Sequence, residues 1–316
     1  MLRQSKGNTS PAAGAPGNSA SLLCLLLFLA AAAGAEAAPF AFCRFVPERK
    51  DDFAFENDRV AFRVYGPALR GKGEDSGIDC WAKSVDYPII DKWYAGDLRE
   101  KKSYHQDHGE GLDFYKVGAT RGCGGIAIWQ DGKIFTSGVF QAQRVIRGGP
   151  EEAVFELTYT FEVDGETITE VRRVTLQPGS NLARADAVFT KNGQPVDLTI
   201  GIGLATGQGP GEKFFDVKAG WMAVWETFQK QQLGVGVVVN PSVIETSLTT
   251  EQDPVKGSHA WLVVRTGDAG RLTWFFGFGW EGSGQFPTMA SWKVYLAKFA
   301  ADYAANPDFQ APKEQP

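Results

Sequence analysis

Alternating apolar and polar positions dominate the middle of the chain, and three turn dipeptides interrupt them. Asp131-Gly132 lies between IAIWQ and KIFTSGVF, Asp164-Gly165 between FELTYTFEV and ETITEVRRVTL, and Asn192-Gly193 between ARADAVFT and QPVDLTIGIG. Such dipeptides form the tight turns that join neighbouring antiparallel strands, because both positions tolerate the positive φ that these turns need. The pattern therefore predicts three β-hairpins.

Further β-rich segments are LGVGVVVN, HAWLVVRTG and RLTWFFGFGW, and the segment Glu56–Tyr65 (ENDRVAFRVY) has the same character. Val, Trp and Phe favour strands, and Gly, Asn and Pro bound these runs. About a dozen strands cannot stay in one open sheet, because twist makes large sheets curl or divide into packed layers. We therefore predict a mostly β fold, a large antiparallel β-sandwich.

Helical periodicity is clear at one place, near the C-terminus. Large apolar residues recur at three- and four-residue steps from Thr288 to Ala304, between Pro287 and Asn306-Pro307. This spacing predicts a long C-terminal helix. We expect residues 38–308 to form a single β-sandwich domain and residues 309–316 to form a polar tail.

The segment RLTWFFGFGW directs different side chains to its two faces. Alternation puts four aromatic residues on one face and leaves Gly277 and Gly279 on the other. The aromatic residues are Trp274, Phe276, Phe278 and Trp280. Because sugars stack their C–H faces on aromatic rings, and glycines let a backbone or a ligand approach closely, this strand predicts a platform for a saccharide.

The first 37 residues have the composition of a secretory signal peptide. Arg3 and Lys6 precede the apolar run LLCLLLFLAAAA, and the triplet Ala35-Glu36-Ala37 fits a cleavage site. The apolar run is too short to span a bilayer, and no second one follows. We predict a secreted or periplasmic protein without a membrane span.

Charge and cysteine content narrow the range of partners. Without the predicted signal, 30 basic and 36 acidic residues remain, and this negative balance argues against nucleic acid and anionic membranes as partners. An acidic saccharide is compatible with it, because a few cations can dominate one pocket. Cys43, Cys80 and Cys123 allow at most one disulfide, so apolar burial must supply the core. We expect Cys123 to be a buried thiol or a half-cystine with Cys80.

Titratable residues are concentrated in the segment SYHQDHGEGLDFYKVGATRGCGG, which begins at Ser103. It holds two of the three histidines, His105 and His108, and its turn formers indicate a loop or a strand end. A zinc site would need a third ligand, and a calcium site would use acidic oxygens. Candidates for the third zinc ligand are Glu110, Asp113 and His259. The oxygen donors suited to calcium are Asp107, Glu110 and Asp113.

The same segment fits acid–base chemistry that needs no cofactor. Histidine titrates near neutral pH, and burial or neighbouring charges bring tyrosine and lysine toward it. The candidate catalytic residues are His105, Tyr104, Tyr115 and Lys116. The candidate substrate-binding residues in the segment are His108, Asp113 and Arg121. The alternative is a hydrated surface loop without a chemical role.

Three other places offer substrate contacts. Lys92 beside Trp93 is typical of a sugar subsite, and equally of a packed edge with a solvated lysine. Arg172 and Arg173 are adjacent on one predicted strand, so one of them faces inward, where a substrate carboxylate is a suitable partner. His259 shares a strand face with apolar residues, which favours a core histidine unless that face lines the cleft.

Three blocks of the sequence resemble a known family, namely ENDRVAFRVYGPAL, the YH...GLDFYKVGATRGCGGIAIW block and WKVYLAKFA. Over Phe40–Ala305 the chain resembles a bacterial domain-of-unknown-function family of exported β-sandwich proteins. That family is similar to galactose-mutarotase-like supersandwiches and occurs in systems that degrade uronate-containing polysaccharides. One member is similar to an ulvan-oligosaccharide dehydratase. The matching positions are Tyr104, His105, Gly111, Asp113, Lys116, Gly118 and Gly125.

The resemblance and the candidate residues lead to one hypothesis, the β-elimination of water from the terminal uronic acid of an acidic oligosaccharide. His105 would be the base, Tyr104 or Tyr115 the acid, and Asp113 would orient His105 or Lys116. The uronate carboxylate would be neutralised by a cation from the set Lys116, Arg121, Arg172 and Arg173. The alternatives are a polysaccharide lyase of the same mechanism, a non-catalytic sugar-binding module and a mutarotase-type epimerase.

Overall fold

Three antiparallel sheets account for most of the residues that the structure describes. The structure is a computed structural model, and it describes residues 38–73, 76–251, 257–306 and 309. The predicted signal peptide and nearly all of the predicted tail lie outside these ranges. The predicted mostly β, antiparallel fold is confirmed.

Two of the sheets are small, with five strands each. The first contains, in spatial order, β1 (Ala41–Val46), β2 (Asp52–Asn57), β3 (Ala61–Val64), β4 (Ile78–Lys83) and β5 (Gly111–Leu112). The second contains β17 (Ile244–Thr250), β18 (Ser258–Arg265), β13 (Thr199–Thr206), β6 (Cys123–Gln130) and β7 (Lys133–Phe135). A parallel bridge between Ile78 and Gly122 links the two sheets.

The third sheet is the largest. Its strands, in spatial order, are β14 (Gly211–Asp216), β15 (Trp221–Phe228), β16 (Gln231–Val239), β19 (Arg271–Trp280), β11 (Leu182–Lys191), β10 (Glu166–Leu176), β9 (Ala153–Val163) and β8 (Ala142–Gly148), and β12 (Gln194–Pro195) pairs with β11. The described part of the chain forms the α-helices α1 (Ile90–Arg99) and α2 (Met289–Ala305), and 3-10 turns lie at Pro67–Leu69, Pro241–Val243 and Glu281–Ser283. Neither α-helix is long and apolar enough to cross a bilayer.

The main core lies between the large sheet and the two small sheets. The ring of Phe276 in β19 lies 6.4 Å from that of Phe55 and 5.7 Å from that of Phe62, both in the first sheet. The same core continues into the second sheet at Ile126 and Ile202. Helix α2 packs on the other face of the large sheet, and α1 packs on the outer face of the first sheet. Residues 38–306, as far as the structure describes them, therefore form a β-sandwich with a helix on each side.

The predicted turns and the predicted terminal helix are confirmed. Each of the three dipeptides joins two paired strands, and both of its residues have positive φ, for example 48° at Asp164 and 86° at Gly165. At the start of α2, Thr288 Oγ1 accepts a hydrogen bond from Ser291 N at 3.2 Å. This capping contact ends the preceding loop at the position that the sequence indicates.

The prediction of one strand over Glu56–Tyr65 is wrong. The segment contains the end of β2, a turn and β3. Asn57 Oδ1 accepts hydrogen bonds from the backbone N of Arg59 at 2.8 Å and of Val60 at 2.9 Å. These bonds stabilise a turn after Asn57, as Asn side chains commonly do. The turn joins β2 and β3 as a hairpin in place of one continuous strand.

Helix α1 was not predicted, because its cap comes from elsewhere in the chain. The side chain of the N-terminal residue Ile89 makes no capping bond. Instead, the buried carboxylate of Glu56 accepts hydrogen bonds from the backbone N of Ile89 and of Ile90 at 3.0 Å. Lys83 lies 3.1 Å from the same carboxylate. A long-range cap of this kind leaves no signal at the start of the helix.

The aromatic face of β19 is not a sugar platform, contrary to the prediction. Its four aromatic side chains are at most 4% exposed and belong to the main core. On the opposite face, a Cβ atom placed on Gly279 would lie 2.9 Å from the ring of Trp292 in α2. The absence of a side chain at Gly279 therefore makes room for the packing of α2, not for a ligand.

Candidate functional site

The segment from Tyr104 to Asp113 separates two pockets. The backbone N of Asp113 donates a hydrogen bond to Tyr104 O at 2.8 Å, and two glycines with positive φ turn the chain in between. His105 lines the pocket on one side of the segment, and His108 lines the pocket on the other side. The two histidines therefore contribute to different sites.

The first pocket, called the His105 pocket below, has a volume of about 390 Å³. The predicted residues His105, Asp113, Tyr115 and Lys116 line it. So do residues of the first sheet and of the β1–β2 turn that the sequence did not indicate. Its charged and imidazole side chains are Arg49, Arg63, Asp79, His105, Asp113 and Lys116.

His105 is held in one tautomer by Asp113. His105 Nδ1 lies 3.0 Å from the backbone O of Asp113 and 3.4 Å from its Oδ2. A carbonyl oxygen only accepts hydrogen bonds, so Nδ1 carries the proton and Nε2 of the neutral ring has a free electron pair. The imidazole is 60% exposed. This arrangement suits a general base that meets its substrate from solvent.

Two buried carboxyl groups accompany the histidine. Burial raises the pKa of Asp113 to about 7, although Arg63 and Arg49 oppose the shift. Burial, followed by the charge of Asp113, raises the pKa of Asp79 well above its usual value. Two neighbouring carboxylates in a dry site are not both ionised easily, so the pair retains a proton near neutral pH. A protonated carboxyl group is a proton donor.

Two arginines bring positive charge to the same pocket. Arg63 in β3 is the cross-strand partner of Asp79 in β4, and its Nε lies 2.7 Å from Asp52 Oδ2. Arg49 Nη2 donates to the hydroxyl of Tyr104 at 3.1 Å. With Lys116 there are three cations. Asp52 contributes one carboxylate charge, and the Asp79 and Asp113 pair with one proton contributes another. Three cations therefore face two carboxylate charges, and the net positive charge of the pocket favours an anionic ligand.

The two candidate tyrosine acids are buried, although Tyr115 lines the His105 pocket. Tyr104 is buried, its ring lies 4.7 Å from that of Trp81, and burial raises the pKa of its hydroxyl. The Tyr115 hydroxyl is buried without a hydrogen-bond partner among the described residues, and burial raises its pKa as well. Both groups stay protonated, but neither hydroxyl faces the pocket as openly as His105 does.

Three predicted substrate contacts lie in the protein interior instead. Arg121 is fully buried and donates to Ser76 Oγ at 2.6 Å and to Ala119 O at 2.8 Å. His259 Nε2 accepts a hydrogen bond from Arg121 N at 2.9 Å, in agreement with a core histidine. Arg172 forms a buried ion pair with Glu170 at 2.6 Å. None of the three lines the His105 pocket, because their hydrogen-bonding groups are used within the core.

The second pocket, called the α1 pocket below, has a volume of about 240 Å³. It lies between helix α1 and the 104–113 segment, and the predicted residues Lys92, Trp93 and His108 line it. The basic and aromatic cluster at Lys92 and Trp93 therefore belongs to a helix beside a cavity, not to a sheet edge. These residues line a pocket of their own, apart from His105.

The residues proposed as metal ligands are not arranged around one point. Among the residues that the structure describes, no group of three or more His, Cys, Asp or Glu side chains is placed to hold a metal ion. Asp107 Oδ1 accepts hydrogen bonds from the backbone N of Gly109 at 2.7 Å and of Gly111 at 3.1 Å. It shapes the loop. The three described cysteines are buried free thiols.

The chain matches one family model over most of its length and is similar to several known proteins. The model of the family described as Domain of unknown function (DUF4861) matches residues 33–307. The Uncharacterized protein P7 of Formosa agariphila is 36% identical over 275 residues, which are 83% of this chain and 67% of that protein. Among solved structures, the galactosidase domain of the α-galactosidase-sucrose kinase AgaSK gives a TM-score of 0.37 at 7% identity, with 75% of this chain and 41% of that chain covered. An α-galactosidase from Lactobacillus brevis gives 0.37 at 9% identity, with 75% and 40% covered. This chain thus spans less than half of either solved chain.

Proposed function

This chain belongs to the DUF4861 family, and we propose that it is a carbohydrate-active enzyme that eliminates water from the terminal uronic acid of acidic oligosaccharides. The observation that carries the proposal is the content of one pocket. The His105 pocket combines an imidazole with a free ring nitrogen, two buried carboxyl groups with raised pKa values, and a surplus of positive charge. Elimination beside a carboxylate needs these three elements together.

The proposed reaction assigns one role to each element. Arg49 and Arg63 hold the uronate carboxylate, which makes the C5 proton acidic. His105 Nε2 takes that proton, the electrons of the C5–H bond form the C4–C5 double bond, and the C4–O bond breaks. Asp79 gives its proton to the departing hydroxyl group, which leaves as water. Asp79 replaces the tyrosines as the acid, because it lines the pocket and because burial and the charge of Asp113 raise its pKa well above the usual value, which favours the protonated carboxyl group.

The dimensions of the pocket favour dehydration over chain cleavage. A volume of about 390 Å³ is near the lower end of the range of about 300–1,000 Å³ for small-molecule sites. A polysaccharide lyase needs subsites on both sides of the bond that it breaks, whereas a dehydratase that acts on a chain end needs room for the end alone. The compact pocket is therefore better suited to a terminal residue.

An activity screen tests the proposal. The purified protein is incubated with a panel of oligosaccharides that end in a uronic acid, and ultraviolet absorbance is followed. We expect absorbance to rise as a conjugated unsaturated uronate forms, and to rise equally after exhaustive chelation. Absence of a rise with every uronate-terminated substrate would count against the proposed function. A rise that chelation abolishes would mean that the reaction depends on a metal ion.

The variant Arg49→Met is expected to raise KM and to lower kcat/KM by about 10- to 100-fold. Loss of one charge-assisted hydrogen bond to the substrate carboxylate costs about 1.5–3 kcal/mol. Steady-state kinetics on a uronate-terminated oligosaccharide measures the change. Arg70→Met is the control, because it removes the same charge from an exposed position just after the Pro67–Leu69 turn. Equal kinetics for the two variants would remove Arg49 from the site.

The variant Asp113→Asn is expected to lower kcat about tenfold and to remove one ionisation from the pH profile. In the wild type, kcat/KM rises as Asp113 ionises at about pH 7, because its carboxylate stabilises the imidazolium that forms on His105. The loss stays moderate because the backbone O of Asp113 still holds Nδ1. A profile of kcat/KM from roughly pH 5 to pH 9 checks this. An unchanged rising limb in the variant would contradict it.

The raised pKa of Asp113 also predicts how the stability of the fold changes with pH. The pKa of Asp113 is raised in the folded state, so the folded protein binds this proton more tightly than the unfolded chain does. The stability that this proton contributes is fully present below about pH 4, and it is lost as the pH rises through about 7. Asp113→Asn should therefore gain stability relative to the wild type on going from roughly pH 5 to pH 8, as melting temperatures would show.

A further inference from the structure

The α1 pocket contains a buried carboxylate that is surrounded by donors. Glu110 is 7% exposed, and its Oε1 accepts hydrogen bonds from the Tyr87 hydroxyl and from Lys92 Nζ, both at 2.5 Å. Its Oε2 accepts one from Trp93 Nε1 at 3.3 Å. Trp93 is fixed in turn by its ring, which lies 5.6 Å from that of Trp81. The carboxylate is therefore held rigidly at the pocket wall.

This arrangement leaves hydrogen-bonding capacity for a ligand. The Lys92 ammonium has three protons, and among the described residues it uses one on Glu110. Glu110 Oε2 receives one bond, although a carboxylate oxygen accepts about two. A donor and an acceptor thus stand side by side. Their natural complement is a hydroxyl group, which accepts from the ammonium and donates to the carboxylate, or a pair of neighbouring hydroxyl groups.

The charges around the pocket are balanced. Lys92 lies 2.5 Å from Glu110, and Lys102 lies 3.3 Å from Glu100. Each cation that lines the pocket therefore has its own carboxylate. The His105 pocket has a surplus of positive charge, whereas this pocket has none to offer to a carboxylate or a sulfate group. An uncharged ligand suits it better.

An aromatic surface accompanies the polar groups. Trp93, which is 8% exposed, lines the pocket together with the small residues Ala95, Gly96 and Gly111. An aromatic wall beside a charged donor and acceptor pair suits a molecule with an apolar C–H face and several hydroxyl groups. Sugars have this combination of surfaces.

From these four features we propose that the α1 pocket is a second saccharide site, which binds an uncharged sugar through its hydroxyl groups on Lys92 and Glu110 and its ring face on Trp93. The site is separate from the His105 pocket, so this proposal does not depend on the elimination chemistry. The sugar is either a uronate-free part of the oligosaccharide whose end occupies the His105 pocket or part of another chain. The hydroxyl chemistry that recognises it is the same in both cases.

Saturation-transfer NMR with uncharged methyl glycosides tests the site without any need for turnover. The panel contains the methyl glycosides of glucose, galactose, xylose and a 6-deoxyhexose. We expect at least one to bind, and Lys92→Met to weaken its binding at least tenfold. Lys92 is 65% exposed on α1, so its removal leaves the core intact. Glu110→Gln should weaken binding as well.

Two controls make the result specific. Lys298→Met removes a similarly exposed helical lysine that pairs with Asp302 at 2.7 Å, and it should leave glycoside binding unchanged. His105→Ala should also bind the glycoside normally. The proposal is overturned if no glycoside binds, or if Lys92→Met and Glu110→Gln bind as the wild type does.

The two sources of the sugar are distinguished in a second arm. The affinity for a uronate-terminated oligosaccharide is measured in the wild type and in Lys92→Met. A loss of affinity in the variant means that one oligosaccharide fills both pockets, and unchanged affinity means that the α1 pocket serves a separate chain. Either result supports the site once glycoside binding is lost in the variant, and neither depends on catalysis.

Discussion

The variant His105→Ala is expected to lower kcat by about 10²–10⁴-fold, which is the usual contribution of a positioned general base. The proposed elimination has no other neutral imidazole at the pocket, because His108 lines the α1 pocket and His259 lies in the core. KM should change little, since the arginines that hold the carboxylate remain. Steady-state kinetics with a uronate-terminated oligosaccharide measures both parameters.

His108→Ala is the matched control for this variant. The two histidines lie three residues apart on the same segment, and each has a ring nitrogen bonded to a backbone O, of Asp113 for His105 and of Ser103 for His108. At saturating substrate, kcat of His108→Ala should stay close to the wild-type value. His105 is 60% exposed, so its variant should melt near the wild-type temperature. Full activity of folded His105→Ala would remove this histidine from the mechanism.

The variant Arg172→Met is expected to destabilise the fold by about 3–5 kcal/mol, because it leaves the carboxylate of Glu170 buried without its cation. Both side chains are at most 1% exposed, and the Arg172 guanidinium also lies 4.6 Å from the ring centre of Tyr159 and 5.3 Å from that of Trp274. Denaturant unfolding measures the change in the free energy of unfolding. The folded fraction should keep the wild-type KM.

Arg173→Met is the control, since it removes the neighbouring arginine from the same strand. Arg173 is 53% exposed and pairs with Glu156 at 2.8 Å, and an exposed pair of this kind contributes about 0–1 kcal/mol. Adding Glu170→Gln to Arg172→Met should restore part of the lost stability. A variant at Arg172 with normal stability and a raised KM would instead show that this arginine reaches the substrate.

Local patterns in the sequence were sufficient for the β9–β10 hairpin of the large sheet and for α2. The Asp164-Gly165 turn fixes the register of the two alternating strands that it joins, and α2 begins at a cap that lies within its own sequence. Local chemistry and tertiary packing agree in these elements, which is the condition under which sequence patterns predict structure well.

Helix α1 and the arginines of the His105 pocket could not be predicted from local sequence patterns. The cap of α1 is Glu56, more than thirty residues earlier in the chain, so the start of the helix has no local signal. Arg63 and Asp79 become neighbours through the pairing of β3 with β4, and Arg49 joins them from the β1–β2 turn. Each looks like an ordinary strand or turn residue by itself. Only the fold brings them to His105.

The inward-facing arginine shows why one candidate was misassigned. Alternation along β10 indicates that one of Arg172 and Arg173 points inward, and Arg172 does so. Alternation does not identify the partner. Glu170, two residues away on the same face of the strand, satisfies the guanidinium within the core. A substrate carboxylate is therefore not needed there. The cations of the His105 pocket come instead from the β1–β2 turn, from β3 and from the loop after β5, as Arg49, Arg63 and Lys116.

The mass of the reaction product is the most direct test of the proposed chemistry at the His105 pocket. A uronate-terminated oligosaccharide is incubated with the wild-type protein and with His105→Ala, and both mixtures are analysed by mass spectrometry. We predict that the wild type converts the substrate into a species of the same chain length that is lighter by one water, while the variant leaves it unchanged. Shorter fragments, or a substrate that binds and keeps its mass, would contradict dehydration at the chain end.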